Sequence, residues 1–368
     1  MAKDNTSNVS PANVGLFEAT GSTPTTFHAA SYSNVQWTNN LDFHRLVHLA
    51  KMPINLALGA EHRYEEYNIG AGDEASYIDG GAAGFAGLQP INASSSHRNV
   101  YGGYLDVDVH PVKKLDVDLA GRYETYSDFG HTFNGKIASR YDFTDRIAIR
   151  GAISNGFRAP SLAQENYSSM AVAPTSASGQ LAVNSVAARA LGASPLKPER
   201  STNASGGIVL TPLKNWHLAA DVYQINIRDQ IIAGGNYTGQ TALDAIESQG
   251  ISLPAGIITK SVSARYFSNG ASTRTQGIDI TSDYRSNFHR FGNVMWTAAI
   301  NLNRIRMHHL GTDTLGNPLL STSGVSTLTT GAPRSKIILN ANWTRGNWDA
   351  NIRQTRWGST KVLLGYSN

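Results

Sequence analysis

The chain has 368 residues, a formal charge of +4, and only 16% charged residues, well under the roughly 25% of ordinary soluble domains. It has no cysteine, which excludes disulfides, cysteine zinc sites and thiol nucleophiles, and no apolar run approaches the roughly 18 residues of a spanning helix. The pI of 9.1 comes from scattered charge, without the Lys/Arg blocks that mark nucleic-acid binding, while the mean hydropathy of -0.27 does not rule out a membrane β-barrel, whose alternating strands average to neutrality.

The first residues, MAKDNTSNVSPANVG, contain no basic region followed by an apolar core, so they do not read as an export signal. Residues 1–32 are expected to be loop or poorly ordered, ahead of a β domain over 33–368. From there the dominant signal is period-2 alternation. Strands are expected over 33–49, 53–66, 98–109, 115–127, 134–142, 146–157, 201–211, 216–228, 273–285, 293–305, 335–345 and 348–358. In the fourth, Leu115, Val117, Leu119, Gly121 and Tyr123 oppose Asp116, Asp118, Ala120, Arg122 and Glu124. In the tenth, Val294, Trp296, Ala298, Ile300 and Leu302 oppose Thr297, Asn301 and Asn303. Most spans have roughly the 9–11 residues that cross a bilayer as a tilted strand, or a few more.

The expected connections alternate in length. Those at 50–52, 110–114, 142–145, 212–215, 286–292 and 345–347 are short, whereas 67–97, 158–200, 229–272 and 306–334 are long. Short turns on one side and long loops on the other are how outer-membrane barrels are connected. The connection 128–133 is the short exception on the long-loop side. Strand 216–228 changes phase: Trp216, Leu218, Ala220 and Val222 share one parity, and Tyr223, Ile225 and Ile227 the other. A bulge near Tyr223 or a mis-set strand end accounts for this. Aromatic residues such as Tyr101, Tyr126, Tyr141, Trp216, Trp296, Trp343, Trp348 and Trp357 fall mostly near strand ends, as interfacial girdles do. A short helix fits around Val186–Leu191. No internal repeat is visible, which weighs against propellers and solenoids.

Enzyme motifs are missing: no G-x-S-x-G, H-E-x-x-H or EF-hand loop occurs. Gly130 to Ile137 has phosphate-loop spacing but puts Ile where a hydroxyl must hold Mg²⁺, so Gly130 and Gly135 are read as hairpin glycines. His44 and His48 share one strand face roughly 13 Å apart, too far for one ion. His308 and His309 are read as solvated loop residues, and no cofactor or metal is expected.

Several runs then resemble one family in its own order. These are ALGAEHRYEEYNIGAGDEASY at 57–77, RYETYSDFG at 122–130, KIASRY at 136–141, RGAISNGFRAPSLAQ at 150–164, PLKPERSTN at 195–203, DVYQINIRDQI at 221–231 and SNGASTRTQGIDI at 268–280. Over about residues 30–358 the chain resembles the barrel of TonB-dependent outer-membrane receptors. The resemblance implies an all-β antiparallel transmembrane barrel, here about twelve strands of a barrel of about 22. It also implies a Gram-negative outer-membrane location and import of a scarce nutrient: a siderophore–iron complex, cobalamin or a glycan. The expected partners are membrane lipid, the nutrient and, for a full-length receptor, the inner-membrane TonB-type energising protein; nucleic acid is not among them.

Members of the family also have a signal peptide, an energy-coupling motif and a plug, which these residues do not show, and a terminal strand ending in an aromatic, where this sequence reads Gly365-Tyr366-Ser367-Asn368. The chain is therefore expected to be the middle of a receptor barrel, unable to transport actively by itself. An autonomous passive pore and a non-functional truncated barrel are the alternatives. The motif residues expected to be structural are Arg122, Tyr123, Tyr126, Asp128, Phe129, Gly130, Gly156, Phe157, Arg158, Ala159, Pro160, Ser161, Leu196, Lys197, Pro198, Glu199, Arg274, Thr275, Gly277 and Asp279. Asp106, Asp108, Asp116 and Asp118 are expected to line the inside, matched by Arg122, Arg150 and other inward basic groups, and Glu199 and Arg200 to pair or face the lumen. Ligand contacts are assigned only to the external loops.

Overall fold

The computed structural model describes residues 3–7, 12–49, 52–82, 86–173, 175–251, 253 and 256–364. The elements in order are β1 (Lys3–Ser7), α1 (Val14–Thr20), β2 (Phe27–Leu49), β3 (Met52–Gly70), β4 (Ser94–Val112), β5 (Leu115–Tyr126), β6 (Gly130–Thr144) and β7 (Ile147–Arg158). Then come α2 (Leu162–Asn166), β8 (Ser169–Val172), β9 (Ala177–Gln180), α3 (Val186–Ala190), β10 (Glu199–Leu213), β11 (Trp216–Thr238), α4 (Gln240–Glu247) and β12 (Val262–Asn287). The last are β13 (Asn293–Leu310), α5 (Thr322–Thr330), β14 (Ser335–Arg345) and β15 (Trp348–Trp357). All twelve expected strands are present. The turn at 50–52 and the final Gly365-Tyr366-Ser367-Asn368 lie wholly or partly outside the described residues.

The strands form one 15-stranded sheet. Each strand along its main path pairs antiparallel with its neighbour in sequence, except that β7 passes over β8 and β9 to pair with β10. β1 and β15 lie at its two edges. This is the meander expected when every backbone group must find a partner within the sheet at membrane depth. No helix is long and apolar enough to span a membrane.

Cross-strand partners share a face, so the register extends the alternation into two continuous surfaces. Val222, Ile278 and Leu302 form one row of the apolar face, Ala220, Ile280 and Ile300 the next, and Trp216, Tyr284 and Trp296 another near the short turns. There Trp216 Nε1 donates to Ser282 Oγ at 2.9 Å, Trp296 Nε1 to Ser286 Oγ at 3.0 Å, and Trp343 Nε1 to the Phe291 carbonyl at 2.6 Å. Each ring keeps its apolar body outside and its N–H satisfied, as an interfacial girdle requires.

The phase change in β11 is not a bulge. Register through Tyr223 is unbroken on both sides, opposite Ser205 and Gly277. Tyr223, Ile225 and Ile227 share the polar face with Asp221, whereas Gln224 and Asn226 continue the parity of Val222. The apolar face therefore ends at Val222, and beyond it the same parity carries the polar Gln224 and Asn226. The irregularity comes later, between Ile227 and Ile231, around Asp229 at a φ of 56°. Gly130, at a φ of 103°, opens β6 after a tight turn, while Gly135 lies within that strand rather than in a turn.

Candidate functional site

The strands extend furthest toward the long connections. β11 has 23 residues and β12 has 26, against the roughly 9–11 needed for a crossing. Their upper halves, with the long loops, build a cap that has its own core. Met170, Leu181, Ala187, Leu191, Tyr237, Ala245, Ile246, Val262 and Tyr266 pack together. β9 pairs parallel to β12, from Ala177 opposite Val262 to Gln180 opposite Arg265. Tyr237 donates its hydroxyl to the Leu191 carbonyl at 2.6 Å, fastening α3 to the strands. The described residues of these loops thus bury apolar area of their own.

Between the β3–β4 loop and the β8–β9 hairpin lies a cavity of about 650 Å³, lined by Gly80, Leu88, Tyr167, Met170, Val172 and Ser263 among others. Its size falls within the usual range for small-molecule sites. It joins apolar side chains to a phenol and hydroxyls, a lining suited to a ligand with an apolar body and a few polar atoms.

Below the cap, the polar face carries an alternating charge ladder across β3, β4 and β5. Arg122 Nη2 lies 2.7 Å from Glu124 and 3.0 Å from Glu61. Arg63 binds Glu61 at 2.6 Å and Glu65 at 2.7 Å. Arg98 continues the chain to Glu65 at 2.6 Å and Asp128 at 3.2 Å, and donates to the Pro160 carbonyl at 2.7 Å. The loop after β7 therefore folds back over the polar face, which makes that face the lumen. Beside it, burial and then the charge of Asp128 push the Glu165 carboxyl up to about 7, with Arg98 opposing.

The motif residues divide between these surfaces. Arg122 and Asp128 belong to the ladder, and Tyr126 is buried above it, stacked on Phe129 at 4.4 Å and edge-on to Phe157 at 5.8 Å. Tyr123 stacks on His131 on the apolar side. Pro160 is fully buried just after Ala159, and Ser161 caps α2 in a box with Gln164. Gly156 lies opposite Ser201, Oγ of which would lie 3.0 Å from an added Cβ.

Leu196 packs with Val183 and Ile231. Lys197, one residue before Pro198, exchanges two 2.8 Å backbone bonds with the Asn269 side chain. Glu199 accepts from the Ile231 N–H at 2.8 Å and pairs with Arg158 at 3.4 Å. Arg200 faces the opposite way, so the expected Glu199–Arg200 pair does not form: neighbours on a strand point to opposite faces. Thr275 sits opposite Ile225, Gly277 opposite Tyr223, and Asp279 accepts from Asn301 at 2.6 Å. Arg274 lies on the outer face.

The four aspartates share the lumen face, matched in part by another inward basic group rather than by Arg122 or Arg150. Asp118 pairs with Lys136, Asp116 with His110 at 2.9 Å, and Asp108 accepts from Asn55 at 3.2 Å. Arg150 instead reaches Asp221 across Gly207 through two bonds of 2.8 and 2.6 Å, because a glycine at that position leaves the span open. The alternating run Glu61, Arg63, Glu65 is the one sequence signal from which part of the ladder could have been read. Its bridging partner Arg98 carried none, being distant in sequence.

A family model described as TonB dependent receptor-like, beta-barrel, matches residues 3–366. No curated protein sequence matches. Among solved structures, a mutant ferric enterobactin receptor from Pseudomonas aeruginosa superposes with a TM-score of 0.61 at 14% identity, covering 90% of this chain and 42% of that one. The siderophore receptor PirA from Acinetobacter baumannii gives a TM-score of 0.57 at 16% identity, over 91% and 44%. The outer membrane transporter YddB from Escherichia coli gives 0.58 at 10% identity, over 94% and 44%. The chain thus spans less than half the length of these structures, and the likeness is one of fold.

Proposed function

The chain belongs to the TonB-dependent receptor β-barrel family, and from that premise we propose that it is barrel wall and cap of an outer-membrane receptor importing a scarce nutrient, with a ferric siderophore as first candidate. The observation that supports this most is the ordered cap. Long loops gathered on one side, with their own core and a cavity of about 650 Å³, make a vestibule where a dilute ligand is held before passage. The family is one of transport receptors, and the proposal involves no covalent chemistry.

In this reading the cavity binds the ligand by apolar contact with Met170 and Val172 and by the Tyr167 phenol. The ladder from Glu124 to Asp128 gives the lumen below a wetted wall with nearly balanced charge, across which a polar complex moves without meeting a single strong trap. A plug and an energising inner-membrane protein complete the machine in the full-length receptor. Iron-starved cells whose chromosomal gene is deleted should lose uptake of one labelled ferric siderophore and regain it with the wild-type gene. Restoring the gene with Tyr167→Ala and Met170→Ala should raise the half-saturating concentration at a similar maximal rate. Unchanged uptake in the deletion strain for ferric siderophores, cobalamin and oligosaccharides alike would remove the proposal.

A further inference from the structure

Where the apolar face ends, the outer surface becomes basic. Five arginines on four adjacent strands continue the lipid-facing parity: Arg200 on β10, Arg228 on β11, Arg274 on β12, and Arg304 and Arg306 on β13. Arg200 lies directly opposite Arg228, and Arg274 directly opposite Arg306. Gln276 faces Arg304 in the row just above Ile278 and Leu302. Four strands at about 4.8 Å spacing make a patch about 14 Å wide.

Its height fits a membrane surface. From Trp296 in the girdle to Arg306 is ten residues along β13; at about 3.3 Å each and a tilt of roughly 40°, the rise is about 25 Å, the height of a barrel's apolar band. The long loops place this end at the outer side.

The patch lacks internal compensation. Every ion pair among the described residues involves other side chains. Asp229, next to Arg228, pairs with none of the five. The nearest neutral partner is Asn226, which accepts from Arg274 Nε at 2.8 Å. Like charges directly across a strand pair are unfavourable, and two such pairs stand here side by side. The lumen face shows the opposite arrangement, with each ladder arginine between carboxylates.

We propose that this patch binds the phosphorylated headgroup of the glycolipid that forms the outer leaflet around the barrel. Guanidinium forks match phosphate oxygens in bidentate geometry, and Val222, Ile278 and Leu302 just below would meet the acyl chains of the same molecule. An apolar row joined to a cationic row at headgroup height fits an amphiphilic anion better than free phosphate. The inference rests on the outer-membrane location proposed above; fractionation of the same cells tests that location separately, since binding in detergent does not depend on it.

The test uses the full chain, extracted in a zwitterionic detergent and stripped of lipid, with diphosphoryl lipid A as probe and native mass spectrometry as readout. One variant carries R200Q, R228Q, R274Q, R304Q and R306Q; a second carries lysine at the same five positions. A control removes five basic groups at the opposite end: K113Q, R146Q, K214Q, R285Q and R345Q. Wild type, lysine variant and control should hold the lipid, and the glutamine variant should bind at least about tenfold more weakly, since each basic group near an anionic surface contributes. The heat-dependent gel mobility of a folded barrel is checked for each; R304Q with R306Q replaces the fivefold variant if that fails to fold. Equal retention by the glutamine variant, equal loss in the control, equal binding of dephosphorylated lipid A, or full displacement by inorganic phosphate would each overturn the proposal.

Discussion

Arg98 on β4 donates to the carbonyl of Pro160, 62 residues later, at 2.7 Å. The contact ties the barrel wall to the loop that folds into its mouth. Arg98 is 5% exposed and also holds Glu65 and Asp128, so its loss would leave the Asp128 carboxylate and the Pro160 carbonyl unpaired and Glu65 with Arg63 alone. Arg98→Ala should lower stability by about 2–4 kcal/mol, read as a shift in urea midpoint of the folded barrel in detergent. An unchanged midpoint would mean that water replaces the guanidinium without cost.

Glu165 provides a pH test. Its carboxyl titrates near 7 in the folded chain instead of 4.5, so between these values the folded state holds a proton that the unfolded state has released. Stability contributed by this group is therefore full below about pH 4.5 and is lost as pH rises to about 7. Glu165→Gln should flatten that part of the stability profile and raise the urea midpoint at pH 8. An identical slope in the variant would assign the pH dependence to other groups.

The two faces are separable by substitution at adjacent positions. Ile300 lies in the lipid-facing row with Ala220 and Ile280, and Asn301 faces the lumen beside Asp279. Ile300→Arg should cost about 2–4 kcal/mol, the range for a basic residue at the bilayer midplane, and reduce the folded fraction. Asn301→Arg should be nearly neutral in the same gel-mobility assay. Equal effects would contradict the assignment of faces.

Gly277 leaves room for the Tyr223 phenol across the β11–β12 pair; an added Cβ would overlap that ring. Gly277→Val should cost about 1–3 kcal/mol through overpacking. Adding Tyr223→Ala should recover part of the loss, because the overlapping ring is then gone. Strict additivity of the two changes in unfolding free energy would refute direct contact.

Much of the barrel was legible in the sequence because a strand crossing a membrane obeys a local rule. Residues such as Leu115, Val117 and Leu119 must face lipid while Asp116 and Asp118 face water, and the period of two prints this directly on the chain. The signal stopped where the lipid stops, which is why β11 and β12 were foreseen ending near Arg228 and starting near Thr273 although they run to Thr238 and from Val262. Above the membrane the alternation loses its cause, and the pairing is held by cap contacts such as that of Tyr237 with Leu191.

The sequence by itself determined the strand class, the succession of the twelve long strands, the side bearing the long loops and the two faces of the alternating segments, all of which follow from backbone periodicity and loop length. Only the tertiary structure decided which charges meet. Arg98 joins Glu65 and Asp128, Arg150 crosses Gly207 to Asp221, and Arg200 stands against Arg228 because strand register brings distant segments into line. Pairing across strands depends on which residues lie opposite one another, and no local pattern encodes that.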